Sequence, residues 1–141
     1  MKTLKLMVAV LLMGTSMITT ACNGGSADQN QEQSAATVKD ISVDEFNTMK
    51  SEKPGIILDV RTPGEVASGT VPGAIVIDIM DPDFEKKVNE LDKNATVYVY
   101  CKAGGRSANA SDKMNDWGFK TVYNVTGGFD AWSSKGYEVS K

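Results

Sequence analysis

With 141 residues, 41% of them apolar and 23% charged, the chain has the make-up of one ordinary globular domain with short additions, which excludes a wholly disordered or low-complexity protein. Its 15 basic and 18 acidic residues leave a formal charge of −3 and no basic face for nucleic acid. Histidine is absent, which excludes Ser-His-Asp and Cys-His catalysis, His-ligated zinc and imidazole acid–base chemistry together.

At the N-terminus, Lys2 and Lys5 precede an apolar stretch from Leu6 to Ile18, which Gly14, Thr15 and Ser16 interrupt. The stretch is too short to span a bilayer comfortably and has the layout of a secretory signal. As a buried helix it would have to pack against the polar segment that follows, which offers it no partner. Small Ala21 directly before Cys22 resembles a bacterial lipobox, with Thr19 where such signals more often carry Leu. The resemblance implies a signal peptide over 1–21, removed on export, and lipid modification of Cys22. Acyl chains contribute about 0.8 kcal/mol per buried methylene, so two or three of them hold a protein on a membrane of the bacterial cell envelope, inner or outer. Residues 22–37 then form a polar, flexible tether with a reach of roughly 20 Å. The folded domain is expected over 38–141.

In that domain, Val38 to Ile41 reads as a short strand. Ser42-Val43-Asp44-Glu45 is a capping box that opens a helix carrying Phe46 and Met49, ended by Lys53-Pro54-Gly55. Ile56-Ile57-Leu58, leading to Asp59, reads as a strand buried on both faces. Thr62-Pro63-Gly64 opens a turn and a short helical piece near Glu65 to Ala67. Val71-Pro72-Gly73 is a second turn, and Ala74 to Ile77 a further apolar run. Asp81-Pro82 reads as a helix start, followed by a stripe of Phe84, Val88 and Leu91. Thr96 to Tyr100, all β-branched or aromatic, is the strongest strand signal. A helix from Arg106 or Ser107 carries Ala110, Met114 and Trp117 on its inner face. A strand over Thr121 to Tyr123 and a last helix bearing Phe129 and Trp132 complete the order. The alternation predicts an α/β domain on a parallel sheet, with ligands bound beyond the carboxyl ends of the strands.

The chemistry concentrates directly after Tyr100, in Cys101-Lys102-Ala103-Gly104-Gly105-Arg106-Ser107. A thiol at the end of a buried strand is followed by a small, glycine-rich loop and a helix start. Two glycines permit a tight curve with its N–H groups turned inward. The helix start, Lys102 and Arg106 add positive charge. Such surroundings lower a cysteine pKa from about 8.5 into a range of roughly 3.5–7.5, and no histidine base is then needed. A buried structural cysteine followed by a turn would leave the Gly-Gly curve and its two flanking cations without a purpose. Of the 15 basic residues only Arg61 and Arg106 are arginines, and each lies shortly after a predicted strand. Their planar fork suits oxyanions. For Arg61 two roles stand side by side: an ion pair with Asp59 or Glu65 that fixes the loop, and direct substrate contact.

Cys-Lys-Ala-Gly-Gly-Arg-Ser resembles the active-site loop of single-domain rhodaneses, the sulfurtransferases. Leu58-Asp59-Val60-Arg61 is similar to a second motif of that family, and Gly69-Thr70-Val71-Pro72-Gly73-Ala74 to a third, with Thr70 where the family commonly carries His. Tyr123 to Trp132, containing Gly127-Gly128, is similar to its closing motif. The four motifs occur in the right order from about Val38 to the C-terminus. The resemblance implies a three-layer α/β fold with a central, mostly parallel, five-stranded sheet and helices on both faces. It implies that Cys101 takes the outer sulfur of a donor such as thiosulfate as a persulfide and passes it to cyanide or a thiol, without metal or cofactor. In that scheme the N–H groups from Lys102 through Ala103, Gly104 and Gly105 to Arg106 hold the developing anion, as in an oxyanion hole. Lys102 and Arg106 attract the donor, Ser107 caps the helix or supports the loop, and Asp59 and Arg61 hold neighbouring loops. Trp117, Phe129 and Trp132 read as core.

Two other classes compete. Cysteine phosphatases and arsenate reductases hold a tetrahedral oxyanion in a Cys-x5-Arg loop, whereas the spacing here is Cys-x4-Arg, a smaller ring that suits a single sulfur atom. The other is a tethered, non-turnover sulfur carrier or binding module: the intact Cys101 loop argues against a purely structural module, but a carrier would need the same loop as a catalyst. The two are separated by turnover with excess acceptor.

Overall fold

The computed structural model describes residues 36–141. The expected signal segment 1–21, the expected lipid site at Cys22 and the expected tether as far as residue 35 lie outside the described residues. Among the described residues no helix is long and apolar enough to cross a membrane. Strands and helices alternate as β1 (Thr37–Ile41), α1 (Val43–Glu52), β2 (Ile56–Asp59), α2 (Pro63–Val66), β3 (Ile75–Val76), α3 (Phe84–Asn89), β4 (Thr96–Tyr100), α4 (Gly105–Asp116), β5 (Thr121–Val125) and α5 (Gly128–Ser134).

The five strands form one sheet in the order β1-β5-β4-β2-β3, and every ladder in it is parallel. Strand periodicity sorts β4 onto two faces. Val97 and Val99 pack with Leu58 and Val122 against Phe84 and Val88 of α3 and Ala110 and Met114 of α4. Tyr98 and Tyr100 point the other way, against Val43 and Phe46 of α1 and Phe129 and Trp132 of α5. The Ile56-Ile57-Leu58 run divides in the same manner, with Ile56 and Leu58 on the first face and Ile57 on the second. These layers bury large side chains at about 1.5–3 kcal/mol each, enough to hold β4 rigidly at the centre.

Several boundaries differ from the sequence reading: β1 begins at Thr37, inside the expected tether, β5 runs on to Val125, and two others have a clear local cause. Helix α3 begins at Phe84, because the Asp81 carboxylate accepts the Asp83 N–H at 2.8 Å and the carbonyl of Asp81 accepts that of Phe84. Asp81-Pro82 is thus the turn that precedes the helix. Of the apolar run Ala74–Ile77 only Ile75 and Val76 pair, as an edge strand with both side chains exposed, and Ile77 turns into the core. Thr70 contributes through its backbone: it exchanges N–H···O bonds with Ser140 in an antiparallel bridge that pins the C-terminus. No hydrogen bond from its side chain takes part in that bridge.

Candidate active site

The rigid β4 ends at Tyr100 and delivers Cys101 to the carboxyl edge of the sheet, between the loops that leave β2 and β5. Cys101 is 1% exposed. Its sulfur accepts the Gly104 N–H at 3.1 Å and lies 3.6 Å from the Ser107 hydroxyl. Burial pushes the thiol up. The Ser107 hydroxyl and the N–H groups of Ser107, Gly104 and Ala103 outweigh it, so the thiol is held below its ordinary value.

The loop can turn its N–H groups inward because its first carbonyls are satisfied elsewhere. The Cys101 carbonyl accepts the Phe129 N–H at 2.8 Å, and the Lys102 carbonyl accepts the Asp130 N–H at 3.0 Å. The N-terminal amides of α5, which have no partner within their own helix, thus take up the outward face of the loop. This contact requires a glycine at the start of α5. Gly128 has φ +55°, and a Cβ there would meet the Cys101 carbonyl oxygen at 2.4 Å and the Lys102 carbonyl oxygen at 2.7 Å. The sequence reading did not count Gly128 among the site residues, although it lies in the closing motif.

Only one of the two loop glycines makes the curve. Gly104 has φ +113° and occupies the N-cap position of α4, which therefore begins at Gly105, one residue before the expected Arg106 and two before Ser107. Gly105 has ordinary helical geometry, with nothing within 4 Å of an added Cβ. Ala103 supplies an N–H to the sulfur and leaves its methyl exposed. Ser107 does not cap the helix. It is buried, and its hydroxyl lies 3.0 Å from the Gly104 carbonyl oxygen and 2.7 Å from Asn124 Oδ1, bracing the loop from below.

The two cations are engaged by acids distant in sequence. Arg106 makes a two-pronged pair with Glu65 of α2, Nη1 to Oε2 at 2.8 Å and Nη2 to Oε1 at 2.6 Å. The Arg106 guanidinium, aided by the Thr62 N–H and hydroxyl, outweighs partial burial and lowers the Glu65 carboxyl to about 2. Lys102 is exposed and pairs with Asp130 at 2.6 Å. The loop therefore carries a balanced charge at its rim, and the donors that face the sulfur are neutral. The expectation that Lys102 and Arg106 stand ready for an anion is corrected to that extent.

Arg61 resolves in favour of the ion pair. It is 1% exposed, and its Nε and Nη2 grip Asp59 at 2.6–3.0 Å. The same guanidinium donates to the Gly69 carbonyl at 2.7 Å and lies 4.0 Å from the Phe129 ring centre. Glu65 offers it only a backbone carbonyl, at 3.4 Å. Asp59 and Arg61 thus tie β2, the α2 loop and α5 together. Arg61 also lines a cavity of about 560 Å³, together with Gly64, Glu65, Lys102, Phe129 and Asp130. Phe129 is both core and cavity wall, Trp132 is core, and Trp117 is half-buried against Phe84. Among the described residues no group of acids and cysteines is placed to hold a metal.

This combination of a thiol at the end of the central strand and a loop of inward amides matches a known architecture. The family model described as "Rhodanese-like domain" matches residues 42–135. The chain belongs to the rhodanese-like domain family. It is similar to a rhodanese-like domain protein from Staphylococcus aureus, with 35% identity, a TM-score of 0.63, and coverage of 73% of this chain and 99% of that one. It is 31% identical over 84 residues to a sulfurtransferase of Allochromatium vinosum, covering 60% of this chain and 77% of the relative. It is 33% identical over 108 residues to YrkF of Bacillus subtilis, a sulfur-carrier candidate by name, covering 76% of this chain. The matched region spans 57% of the length of YrkF. The five-stranded parallel sheet with helices on both faces is the fold of these rhodanese-like neighbours.

Proposed function

We propose that this rhodanese-like chain is a sulfurtransferase that carries a sulfane sulfur on Cys101. The observation that supports it most directly is the sulfur of Cys101 facing the N–H groups of Ala103, Gly104 and Ser107, a setting that favours thiolate without a base. In the first step the thiolate attacks the outer sulfur of an anionic donor such as thiosulfate. A Cys101 S–S bond forms, the donor's S–S bond breaks, and its electron pair leaves on sulfite. In the second step cyanide or a thiol takes the outer sulfur and returns the thiolate. The persulfide anion is held by the same N–H groups of Ala103, Gly104 and Ser107, since they need no reorganisation as charge moves outward by one atom. Arg106, Lys102 and their acid partners bound the approach, and Asp59 and Arg61 hold the loop in place.

The decisive experiment is intact mass of the full chain after thiosulfate treatment. Wild type is expected to gain one sulfur and Cys101→Ser none. Excess thiosulfate and excess cyanide together should then give many equivalents of thiocyanate, whereas a carrier stops after one. Phosphate release from para-nitrophenyl phosphate without thiocyanate would replace this reading by a phosphatase.

The N-terminal reading joins this proposal as lipid anchoring at Cys22 in the bacterial envelope. Metabolic labelling with a fatty acid is expected to mark wild type and not Cys22→Ala. Labelling of both, or of neither, would remove it.

A further inference from the structure

Ser107 stands between two acceptors and the reacting sulfur. Its hydroxyl oxygen lies 2.7 Å from Asn124 Oδ1, 3.0 Å from the Gly104 carbonyl oxygen and 3.6 Å from Cys101 Sγ. A hydroxyl has one proton and donates to one of the three at a time. Asn124 is buried in β5, directly opposite Asp40 of β1 in the parallel ladder, and its amide nitrogen donates to Asp40 Oδ1 at 2.8 Å. An ionised carboxylate only accepts, so Asp40 holds the amide with nitrogen outward and oxygen toward Ser107. That oxygen is the shortest contact of the hydroxyl, and it draws the proton away from sulfur. While the proton points to Asn124, the lone pairs face Sγ and suit a thiol; the hydroxyl lowers the Cys101 thiol only when its proton turns to the sulfur. With the amide turned over, its nitrogen donates to Ser107 and the hydroxyl proton is released toward sulfur. That arrangement sets the amide oxygen against the Asp40 carboxylate.

We propose that Asn124 is a positioning residue whose amide, oriented by Asp40, decides whether Ser107 gives its proton to the sulfur of Cys101. The inference rests on the reading of Cys101 as the reacting group. The backbone donors to sulfur are fixed by the fold, and this side-chain chain is the adjustable part. Its outer end is open, because Asp40 is exposed at a recess of about 300 Å³ that Ser111 and Asp112 also line.

The test is a pH titration of thiolate absorbance in the full chain, with Cys101→Ser subtracted to remove Cys22 and the tyrosines. Asp40→Asn replaces the acceptor with a group that can donate to the amide oxygen, so the midpoint should fall by roughly half to one pH unit, about three- to tenfold more thiolate below the midpoint. Asp40→Ala, which removes the acceptor altogether, should move it the same way. Both shifts should vanish in a Ser107→Ala background. Asp112→Asn, which removes a like charge from the same recess, should leave the midpoint in place. An unmoved midpoint in Asp40→Asn, a shift that persists without the Ser107 hydroxyl, or an equal shift from Asp112→Asn would overturn the proposal. Sulfur uptake by wild type is scored separately: its failure sinks the transferase reading, and a flat Asp40 series with normal uptake sinks only the relay.

Discussion

The loops that follow β4 and β2 leave adjacent strands at the same edge of the sheet, and their interiors are filled in opposite ways. The β2 loop fills its own interior with charge: Arg61 turns back onto Asp59 and a backbone carbonyl, both ends buried and mutually satisfied. The β4 loop keeps its cations at the rim, neutralised by Glu65 and Asp130, and leaves neutral N–H groups facing a sulfur. A closed ion pair has no capacity left for a ligand, whereas inward amides keep theirs for whatever negative charge arrives. The motif richer in full charges is therefore the strut, and the motif richer in peptide dipoles is the site.

That contrast breaks most visibly at Gly128. Gly128→Ala forces a Cβ into the carbonyls of Cys101 and Lys102 at a left-handed backbone position. It should cost at least about 2 kcal/mol in urea unfolding, raise the Cys101 pKa, and remove most sulfur transfer. A thiol that still titrates as in wild type would show that α5 does not orient the loop.

Arg61→Met tests the strut. Leaving Asp59 buried without its partner should cost about 3–5 kcal/mol, measured by denaturant midpoint. Any folded fraction should keep the thiol pKa of wild type, because the hydrogen bonds of the Arg61 guanidinium go to Asp59, Glu65 and Gly69, and the thiol is set by Ser107, Gly104 and Ala103. A shifted thiol pKa in folded protein would merge the two loops into one electrostatic unit.

Glu65→Gln separates rim charge from inner dipoles. It frees Arg106, so the KM for thiosulfate should fall several-fold at low salt and return toward wild type at high salt. A salt-independent change would place Arg106 in the inner shell. The same variant has a signature in acid. The folded carboxyl sits at about 2 against an ordinary 4.5, so its contribution is complete above the ordinary value and is lost as pH falls through that interval toward 2. Glu65→Gln should therefore be less stable than wild type near neutral pH, with the difference shrinking across that acid window.

The smallest effect belongs to Gly105→Ala. With helical geometry and open space, the added methyl should stabilise by up to about 1 kcal/mol and leave transfer unchanged, as thermal unfolding and turnover will show. A loss of activity would mean that both loop glycines are needed for the curve.

Much of this fold was legible in local pattern. The capping box at Ser42–Glu45 forms as written, Ser42 Oγ accepting the Glu45 N–H and Glu45 accepting that of Ser42. The run Thr96–Tyr100 is a strand at the residues expected, and Phe46 and Trp132 are core. These features depend on neighbours a few residues apart. The sequence also placed Cys101, its loop and the Asp59–Arg61 pair at the sheet edge. It did not show that Arg106 answers to Glu65, 41 residues away, or Lys102 to Asp130, 28 residues away. Nor did it mark Asn124, which reads as an ordinary strand residue until β1 is laid beside β5.

By itself the sequence determined the order of the elements, the thiol after the central strand and a Gly-Gly pair where the chain turns, though not which of the two glycines makes the turn. These follow from hydrophobic period, capping chemistry and backbone freedom, which act over a few residues. The packed molecule alone decided which charges cancel, which carbonyls α5 removes from the loop and which way the Asn124 amide points. Hydrogen bonds and ion pairs are set by distances of about 3 Å, and only folding brings residues tens of positions apart that close.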